Sequence, residues 1–427
     1  MNPTNPTNPI TPLAPSRTTL LRVFIPFAIG YFFSYLYRVV NAVIAPNLVS
    51  DLDLSPGDLG LLTATYFLTF AAFQLPLGVL LDRFGSRKAE AFLLLFAAIG
   101  AFIFARADSV PGLIVGRALI GFGVSSCLMA AFTAFVIWFK KERLPLVNGI
   151  QVAVGGLGAL TGTAPVEAAL QIADWRTLFT LLAILTLGVA AAIFFVVPER
   201  KAEGGGPSVK EQIQGIGQVY TSPLFWRIAP WAVTSQATFM AIQTLWAGPW
   251  LRDVAGYDRT DMAQGLLLIA AAMVAGFALI GALAARLSRS GIRPLYVSVS
   301  GMGVFMVIQG LIILHIPSLT LPLWILFGFF GASGVLNYAI LSQNFPGNLA
   351  GRVNTGLNVM VFVVAFGGQW GIGEIINLWP ILPDGRYTPT SYQAGFGLML
   401  ALQVLSVIWF ILAGARIRRK SVSVKGA

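Results

Sequence analysis

Residues 78–88 read Gly-Val-Leu-Leu-Asp-Arg-Phe-Gly-Ser-Arg-Lys, and they separate two apolar runs, 58–81 and 88–107. A helix that crosses the hydrocarbon core of a bilayer needs about 20 mostly apolar residues. Both runs meet that length, and Gly78 and Gly85 permit a tight turn and a close approach of helices. The stretch therefore predicts two membrane-spanning helices joined by a short charged loop.

The same pattern of apolar runs continues along the whole chain. The runs that are long enough to span a bilayer lie at 21–46, 58–81, 88–107, 110–138, 144–170, 175–197, 224–250, 260–285, 292–315, 319–343, 353–379 and 391–415. A polar stretch at 198–222, with charges, three successive glycines and a proline, divides these twelve runs into two groups of six. We predict an all-α membrane protein whose twelve transmembrane helices form two six-helix bundles, 20–197 and 223–415, joined by a cytoplasmic linker at 198–222.

The composition excludes several other classes of protein. Of the 427 residues, 56% are hydrophobic and 11% are charged, whereas a soluble domain carries about 25% charged residues. The net charge of +11 does not predict nucleic-acid binding, because the Lys and Arg residues form short clusters between apolar runs. Cys127 is the only cysteine and His315 the only histidine, so neither a disulfide nor a histidine-rich metal site is expected.

The basic residues also predict an orientation. Loops on the cytoplasmic side carry an excess of Lys and Arg. Twenty of the 28 basic residues lie on one side if both termini are cytoplasmic, and five lie on the other. The Asn-Pro-Thr tract within 1–19 predicts a disordered cytoplasmic tail without a secretory signal, and 416–427 predicts a basic cytoplasmic tail. We expect a multi-pass protein of the bacterial inner membrane with both termini in the cytoplasm.

The two halves of the sequence resemble each other. The connection after the eighth run contains Gly281 and Arg286, in positions that correspond to Gly78 and Arg83. The fifth run opens with Val-Asn-Gly at 147–149, and the eleventh opens with Val-Asn-Thr-Gly from position 353. Internal repeats of this kind are typical of pseudosymmetric transporters.

With these features in view, the chain after residue 20 resembles the major facilitator superfamily. The family's motif G-x-x-x-D-R-x-G-x-R-K stands here as Gly78, Asp82, Arg83, Gly85, Arg87 and Lys88. In that family this loop braces one conformation of the two halves against each other, so the resemblance implies alternating access with these six residues in conformational gating. It also implies that the first, fourth, seventh and tenth helices line a central cavity.

Further family patterns are present in whole or in part. Arg117 is followed by spaced glycines in the fourth run, and Trp175 lies in a W-R-x-x-F pattern that opens the sixth. The antiporter motif of the fifth run is half present, because Gly149 and Gly158 fit its spacing but Thr163 stands where proline is expected. This departure weakens an interpretation as an exporter.

An ionisable side chain within a span costs several kcal/mol on insertion scales, which makes it a candidate for function, and four such residues stand out. These are Arg38, Arg117, Glu167 and Glu374. With a rise of about 1.5 Å per residue, all four lie at a similar depth below the same membrane boundary and could share one layer. We interpret Glu167 and Glu374 as candidate proton carriers and Arg117 as a candidate substrate contact.

Arg38 is the sharpest candidate for binding a solute. Tyr31, Ser34, Arg38 and Asn41 follow helical spacing and give the first helix one polar stripe. A buried guanidinium group needs a carboxylate, either from the substrate or from the protein. The alternatives are a structural ion pair with Glu167 and simple snorkelling of the side chain to the membrane surface.

The second half offers uncharged candidates for substrate contacts. The polar or aromatic side chains on its seventh, tenth and eleventh runs are Gln236, Gln243, Trp246, Asn337, Tyr338 and Asn358. Polar groups in spanning helices also form hydrogen bonds between helices, and Trp246 could belong to an aromatic belt.

These observations favour a secondary active transporter that takes up a small organic anion together with protons. No G-x-x-x-x-G-K-[ST] phosphate loop is present in the sequence, and no cofactor or metal is expected. The expected partners are a small-molecule substrate, the lipid bilayer and the proton, with no nucleic acid, and we expect a monomer. The alternatives are a proton-coupled exporter of an amphipathic compound and a membrane sensor that transports nothing, while an enzyme would need a convergent catalytic set that the sequence lacks.

Overall fold

A computed structural model describes residues 19–199, 209–346 and 349–425. All regular secondary structure in these residues is helical, which confirms the predicted fold class. We number the long helices α1 (20–52), α2 (56–84), α3 (86–106), α4 (Val110–Trp138), α5 (144–170), α6 (Trp175–Val196), α7 (223–253), α8 (Arg259–Arg289), α9 (Pro294–Leu314), α10 (Pro317–Gln343), α11 (Ala350–Ile376) and α12 (Pro389–Lys425).

The turn between α2 and α3 depends on one glycine. The helical backbone runs almost continuously through Pro56–Arg106, a stretch of 51 residues. Only Gly85 leaves the helical conformation, at φ 78° and ψ 159°. Side chains with a Cβ rarely adopt a positive φ, so glycine at this position lets the chain reverse direction and makes two spans of one helical stretch. The turn predicted from residues 78–88 is therefore confirmed.

The count of twelve spans rests on α2, α3 and α7. Ten helices of the described residues are long and apolar enough to cross a membrane, and the 51-residue stretch is one of these. Divided at Gly85, that stretch supplies two spans. The twelfth span is α7, which is more polar than the others. Between Trp231 and Trp250, every residue of α7 except Thr234 is buried, so its polar side chains face protein instead of lipid.

Local signals fix several helix starts at the end of the bundle opposite the linker. Ser55 and Asp58 form a capping box at the start of α2, with the Asp58 amide donating to the Ser55 hydroxyl at 3.1 Å. The Asp174 carboxylate caps α6 by accepting from the Thr177 amide at 2.7 Å. Trp175 is buried, and its indole N–H donates to Asp51 at 2.7 Å, so this tryptophan anchors α6 to α1.

Two of the predicted connecting segments contain helix. The predicted linker 198–222 contains a helix at Val209–Tyr220, which we call the linker helix. The Tyr220 hydroxyl donates to the carbonyl of Gly356 on α11 at 3.0 Å. Helix α12 continues through Lys425 into the predicted tail 416–427. Residues 1–18, 200–208, 347–348 and 426–427 lie outside the described residues, and with them nearly all of the predicted N-terminal tail.

The two ends of the helical bundle differ in how closely the halves approach. We call the end with the 78–88 turn and the linker helix the linker end, and the opposite one the far end. At the far end α2 and α11 meet backbone to backbone, because a Cβ on Gly60 would lie 3.0 Å from the carbonyl oxygen of Gln369 and one on Gly373 would overlap the carbonyl oxygen of Pro56. The halves are therefore closed against each other at the far end.

Candidate substrate cavity and its gates

A cavity of 930 Å³ lies between the two halves. Binding sites for small molecules occupy about 300–1,000 Å³. Helices α1, α2, α4 and α5 form one wall, and α7, α8, α10 and α11 form the other. The lining reaches Gly78 and Gly281 at the linker end, so the cavity opens toward that end. The predicted lining by the first, fourth, seventh and tenth helices is confirmed, with four further helices added.

Arg38 lies in the wall of this cavity, as predicted. Its guanidinium carbon is 4.5 Å from the ring centroid of Tyr35 and 5.4 Å from those of Phe70 and Phe362. The rings of Phe70 on α2 and Phe362 on α11 stack at 4.5 Å. These two rings close the cavity toward the far end. Arg38 therefore lies at the closed bottom of a cavity that opens toward the linker end.

The charge of the cavity is uniformly positive. Arg38 and Arg352 are the only charged residues in its lining, and no Asp or Glu lines it within the described part of the chain. No carboxylate lies within 4.0 Å of Arg38 among these residues, and its Nε has no hydrogen-bond partner. The alternative prediction of an ion pair between Arg38 and Glu167 is wrong, because Glu167 pairs with Arg259. The guanidinium group is left with aromatic faces as neighbours and with open space for an anion.

Arg117 does not line the cavity, contrary to its prediction as a substrate contact. It is fully buried behind α1, where its Nη1 donates to the carbonyl oxygen of Tyr37 at 2.8 Å. Its guanidinium carbon is 5.1 Å from the ring centroid of Tyr66, and the guanidinium carbon of Arg38 is 5.9 Å from the same centroid. Arg117 therefore holds the backbone one residue before Arg38 and acts as a positioning residue.

Three of the four residues in the polar stripe predicted on α1 line the cavity, and the fourth does not. Tyr31 and Ser34 line the cavity. Asn41 does not, because its amide donates to the Thr63 hydroxyl at 3.0 Å in the buried contact of α1 with α2. The helix is interrupted at Val40, so the stripe does not continue straight past Arg38.

Of the six substrate-contact candidates in the second half, three line the cavity and three do not. Gln236, Tyr338 and Asn358 line the cavity, and the Tyr338 hydroxyl donates to the Asn358 side-chain oxygen at 3.0 Å. The candidates that do not line it are Gln243, Trp246 and Asn337. All three are buried between helices, where the Trp246 indole donates to the Gln369 carbonyl at 2.9 Å and the Asn337 amide to the Gly334 carbonyl at 3.1 Å.

The two predicted proton carriers lie at the far end, away from the cavity. Glu167 on α5 accepts two hydrogen bonds from Arg259 on α8, at 3.1 and 3.2 Å, and Arg259 also donates to Asn47 at 2.7 Å. Glu374 is exposed and accepts from the Trp370 indole at 2.8 Å. The common layer predicted for the four ionisable residues is therefore wrong. The pair of Glu167 and Arg259 instead joins the two halves, and we call it the far-end latch.

We expect Glu167→Gln to loosen the far-end latch. Glu167 is buried but Arg259 is 43% exposed, so solvent screening limits the pair to about 1 kcal/mol. That free energy corresponds to about a fivefold shift toward the conformation open at the far end. Distances between spin labels at the far ends of α5 and α8 measure the populations.

The control for this variant is Asp384→Asn, which removes an ion pair with Arg386 at the same end but within one half. It should leave the populations unchanged. Equal distance distributions in wild type and Glu167→Gln would show that the pair does not hold the far end closed.

Among the described residues, the ion pairs of the predicted gating loop all lie within the first half in this conformation. Arg87 donates to the Val197 carbonyl at 3.1 Å, and both Arg87 and Lys88 pair with Glu199, so they fasten the end of α6. Asp82 and Arg83 are exposed, and Asp82 forms no ion pair with any described residue. A bracing role for Asp82 and Arg83 stays a prediction for the conformation that is closed at the linker end.

Sequence reasoning missed several residues of the cavity. Tyr35, Phe70 and Phe362 surround the Arg38 guanidinium, and Gln74 and Arg352 line the wall. Tyr35 lies one turn before Arg38, which is a signal that the sequence offered. The others lie on helices that only the fold brings to Arg38.

Comparison with known proteins now identifies the class. The family model described as Major Facilitator Superfamily matches residues 27–369, so the chain belongs to this superfamily and is a membrane transporter, not an enzyme. A probable sulfoacetate transporter of Cupriavidus necator is 25% identical over 365 residues, which cover 79% of this chain and 84% of that protein. A nitrite extrusion protein of Bacillus subtilis is 26% identical over 207 residues, or 48% of this chain and 51% of that protein.

Solved structures support the same fold. The crystal structure of a bacterial homologue of the human lysosomal transporter Spinster, in an inward-facing and occupied conformation, superposes with a TM-score of 0.75. The match covers 94% of this chain and 98% of that chain, at 15% sequence identity. At this identity the likeness concerns the fold alone.

Proposed function

We propose that this protein is a secondary transporter that carries a small organic anion across the bacterial inner membrane in symport with protons. The observation that carries the proposal is Arg38, a cation in the cavity wall with no carboxylate partner among the described residues. A desolvated guanidinium group without a counter-ion is costly. An anionic substrate would supply the missing charge through two parallel hydrogen bonds.

The shape and polarity of the cavity support the same class of substrate. The aromatic rings around Arg38 suit a compact organic skeleton, and Gln74, Tyr338 and Asn358 offer hydrogen-bonding groups on the opposing walls. Arg352 lies nearer the linker end and adds positive potential along the path to Arg38. Both relatives named above are, by their names, transporters of anions, sulfoacetate and nitrite.

The distribution of basic residues supports an orientation for this conformation. Twenty basic residues belong to segments on the side of the linker end, against five at the far end, and the positive side is cytoplasmic. The cavity then opens to the cytoplasm, and the far-end latch closes the outer side. Uptake of an anion against a negative interior requires compensating positive charge, and co-transported protons supply it.

The test is a ligand screen of the purified protein, followed by flux measurements in vesicles. We expect sulfoacetate, a small organic anion, to raise the free energy of unfolding by about 2.7 kcal/mol at 100 times the Kd, whereas a neutral sugar and a neutral amide analogue leave it unchanged. An inward-directed proton gradient should then drive accumulation of the stabilising anion. Stabilisation by neutral solutes alone would overturn the anionic assignment, and accumulation driven by the opposite gradient would indicate the exporter.

A further inference from the structure

A second carboxylate is buried in the first half, and neither the cavity nor the gates account for it. Glu90 lies on α3 and is 0% exposed. Its carboxyl group fills the space that Gly30 on α1 leaves open, because a Cβ on Gly30 would overlap the Glu90 Oε1. Ile193 of α6 faces the same gap. The carboxyl group therefore lies in the interior of the first six-helix bundle.

No positive charge compensates Glu90 among the described residues. Neither of its carboxylate oxygens accepts a hydrogen bond from an N–H or O–H group, and no Lys or Arg lies within 4.0 Å. The cations on its own helix, Arg87 and Lys88, pair with Glu199 instead. From the neighbouring helices, α1 presents Gly30 and α6 presents Ile193. On α4 the thiol of Cys127, a weak donor, lies within hydrogen-bonding reach of the carboxyl group.

An ionised carboxylate in such a place is very unfavourable, so the group is expected to hold a proton. A neutral carboxyl group whose neighbour is only a weak thiol donor still destabilises the fold relative to an apolar side chain of similar volume. Buried ionisable groups in spanning helices commonly serve proton or ion pathways. Stability therefore gives no reason for a glutamate here, whereas proton binding does.

The position of Glu90 links it to the moving parts of the cavity wall. Helix α4 is interrupted at Ser125 and Ser126, directly before Cys127. Ser125 lines the cavity, while the Ser126 hydroxyl is buried without a partner. Interrupted helices at the centre of transporters are typical sites of substrate and ion binding. The carboxyl group thus lies behind the wall that α4 forms, next to the point where this helix can bend.

The same carboxyl group is also close to the helix that carries Arg38. Gly30 directly precedes Tyr31, which lines the cavity, and Arg38 follows on the same helical stretch. A substrate anion that moves α1 against α4 would change the space and the water access around Glu90. Binding at Arg38 and protonation at Glu90 are therefore placed to influence each other.

We propose that Glu90 is a proton-binding site of the transport cycle, which holds its proton in the conformation seen here and releases it when α1 and α4 separate. Release breaks the carboxyl O–H bond and forms an O–H bond of a hydronium ion, and rebinding of the proton reverses this step. This inference deepens the function proposed above and rests on it for the identity of the co-transported anion.

The first test compares Glu90→Gln with wild type in vesicles, with sulfoacetate as the probe. Glutamine keeps the size of the side chain and cannot release a proton. We expect Glu90→Gln to exchange sulfoacetate across the membrane without a gradient, but to lose accumulation by about tenfold for each unit of imposed pH gradient, as one coupled proton requires. The matched control is Glu142→Gln, which removes an exposed carboxylate at the linker end. Accumulation by Glu90→Gln at the wild-type level would overturn the proposal.

The second test needs no substrate. Infrared spectra of the wild-type protein between about pH 5 and pH 9 should contain the C=O stretching band of a protonated carboxylic acid, which disappears as the pH rises. The band should be missing from Glu90→Gln and present in Glu142→Gln. A band that persists at every pH means that the group never releases its proton, and an absent band means that it holds none. Either result overturns the inference, even if sulfoacetate proves not to be the substrate.

A third variant tests whether the space beside Gly30 affects the protonation of Glu90. Gly30→Ala places a Cβ where the carboxyl group now lies, so we expect it to shift the pH at which the infrared band is lost. Gly188→Ala on α6 is the control, because a Cβ there meets no atom within 4 Å. An unshifted band in Gly30→Ala would show that the pocket beside Gly30 does not set the protonation of Glu90.

Discussion

Replacement of Arg38 by alanine is expected to reduce anion uptake by about 100-fold while the protein remains folded. Among the residues that the structure describes, the Arg38 guanidinium group is the one charged group in the middle of the cavity, with Arg352 nearer the mouth. Without it, a desolvated anion would have no counter-charge there. A 100-fold loss corresponds to about 2.7 kcal/mol, within the range for hydrogen bonds to charged groups. Uptake of labelled anion into vesicles measures the effect, and the thermal unfolding midpoint reports the fold.

Two variants sharpen the interpretation of Arg38. Lysine keeps the charge but lacks the planar group that stacks on Tyr35 and binds an anion through two parallel bonds, so Arg38→Lys should recover only part of the uptake. Arg227→Ala is the matched control, because Arg227 also lies in a span and over an aromatic ring, that of Phe410 at 5.0 Å, but outside the cavity. Normal uptake by Arg38→Ala would remove the basis for an anionic substrate.

Gly158→Ala is expected to destabilise the protein by about 1–3 kcal/mol, the range for overpacking a close contact. A Cβ at this position of α5 would overlap the backbone carbonyl of Phe32 on α1. Backbone atoms cannot move aside as a flexible side chain can, so α1 and α5 must separate. Thermal unfolding of the purified protein measures the loss, and uptake should fall with it because α1 carries Arg38.

Gly149→Ala provides the control on the same helix. A Cβ at Gly149 meets no atom within 4 Å, so this variant should be as stable as wild type. If Gly158→Ala unfolds at the wild-type midpoint, the close approach of α1 and α5 contributes nothing to stability. The two glycines belong to the half-present antiporter pattern, and their different surroundings indicate that Gly158 serves helix packing.

The membrane fold could be predicted in detail because its physical signals are strong. Apolar length identified every span, including α7, whose polar residues reduce its mean hydropathy. The helix ends differ by a few residues, except that α1 continues to 52 and α12 through 425. The linker helix was not expected, since its twelve residues lie in a stretch of charges and glycines.

The site could be predicted only in part, because depth in the membrane does not determine which way a side chain faces. Arg38 and Arg117 were predicted to lie at similar depths. Arg38 faces the cavity, whereas Arg117 lies behind α1 and donates to the Tyr37 carbonyl. The partner of Glu167 is Arg259, which the sequence assigns to an outer connection. An ion pair across the two halves cannot be inferred until the halves are docked.

Glu90 escaped the sequence reasoning for a related reason. It lies inside the predicted span 88–107 but only two residues after Lys88, so the sequence alone does not show that it leaves the membrane boundary. The turn at Gly85 is so tight that α3 enters the bundle interior within a few residues. A carboxylate near the start of a span is therefore buried by the geometry of the turn.

The polarity of α7 has a consequence for how the protein is made. Helices enter the membrane from the translocon in proportion to their apolar character, and α7 falls outside the ten described helices that qualify on length and hydropathy. Its buried polar groups find partners on later helices, as when Gln369 of α11 donates to the Thr244 hydroxyl at 3.0 Å. A nascent chain that ends at residue 253 would hold this segment only weakly in the lipid. Stable integration of the seventh span during biosynthesis therefore awaits the synthesis of the helices that follow it.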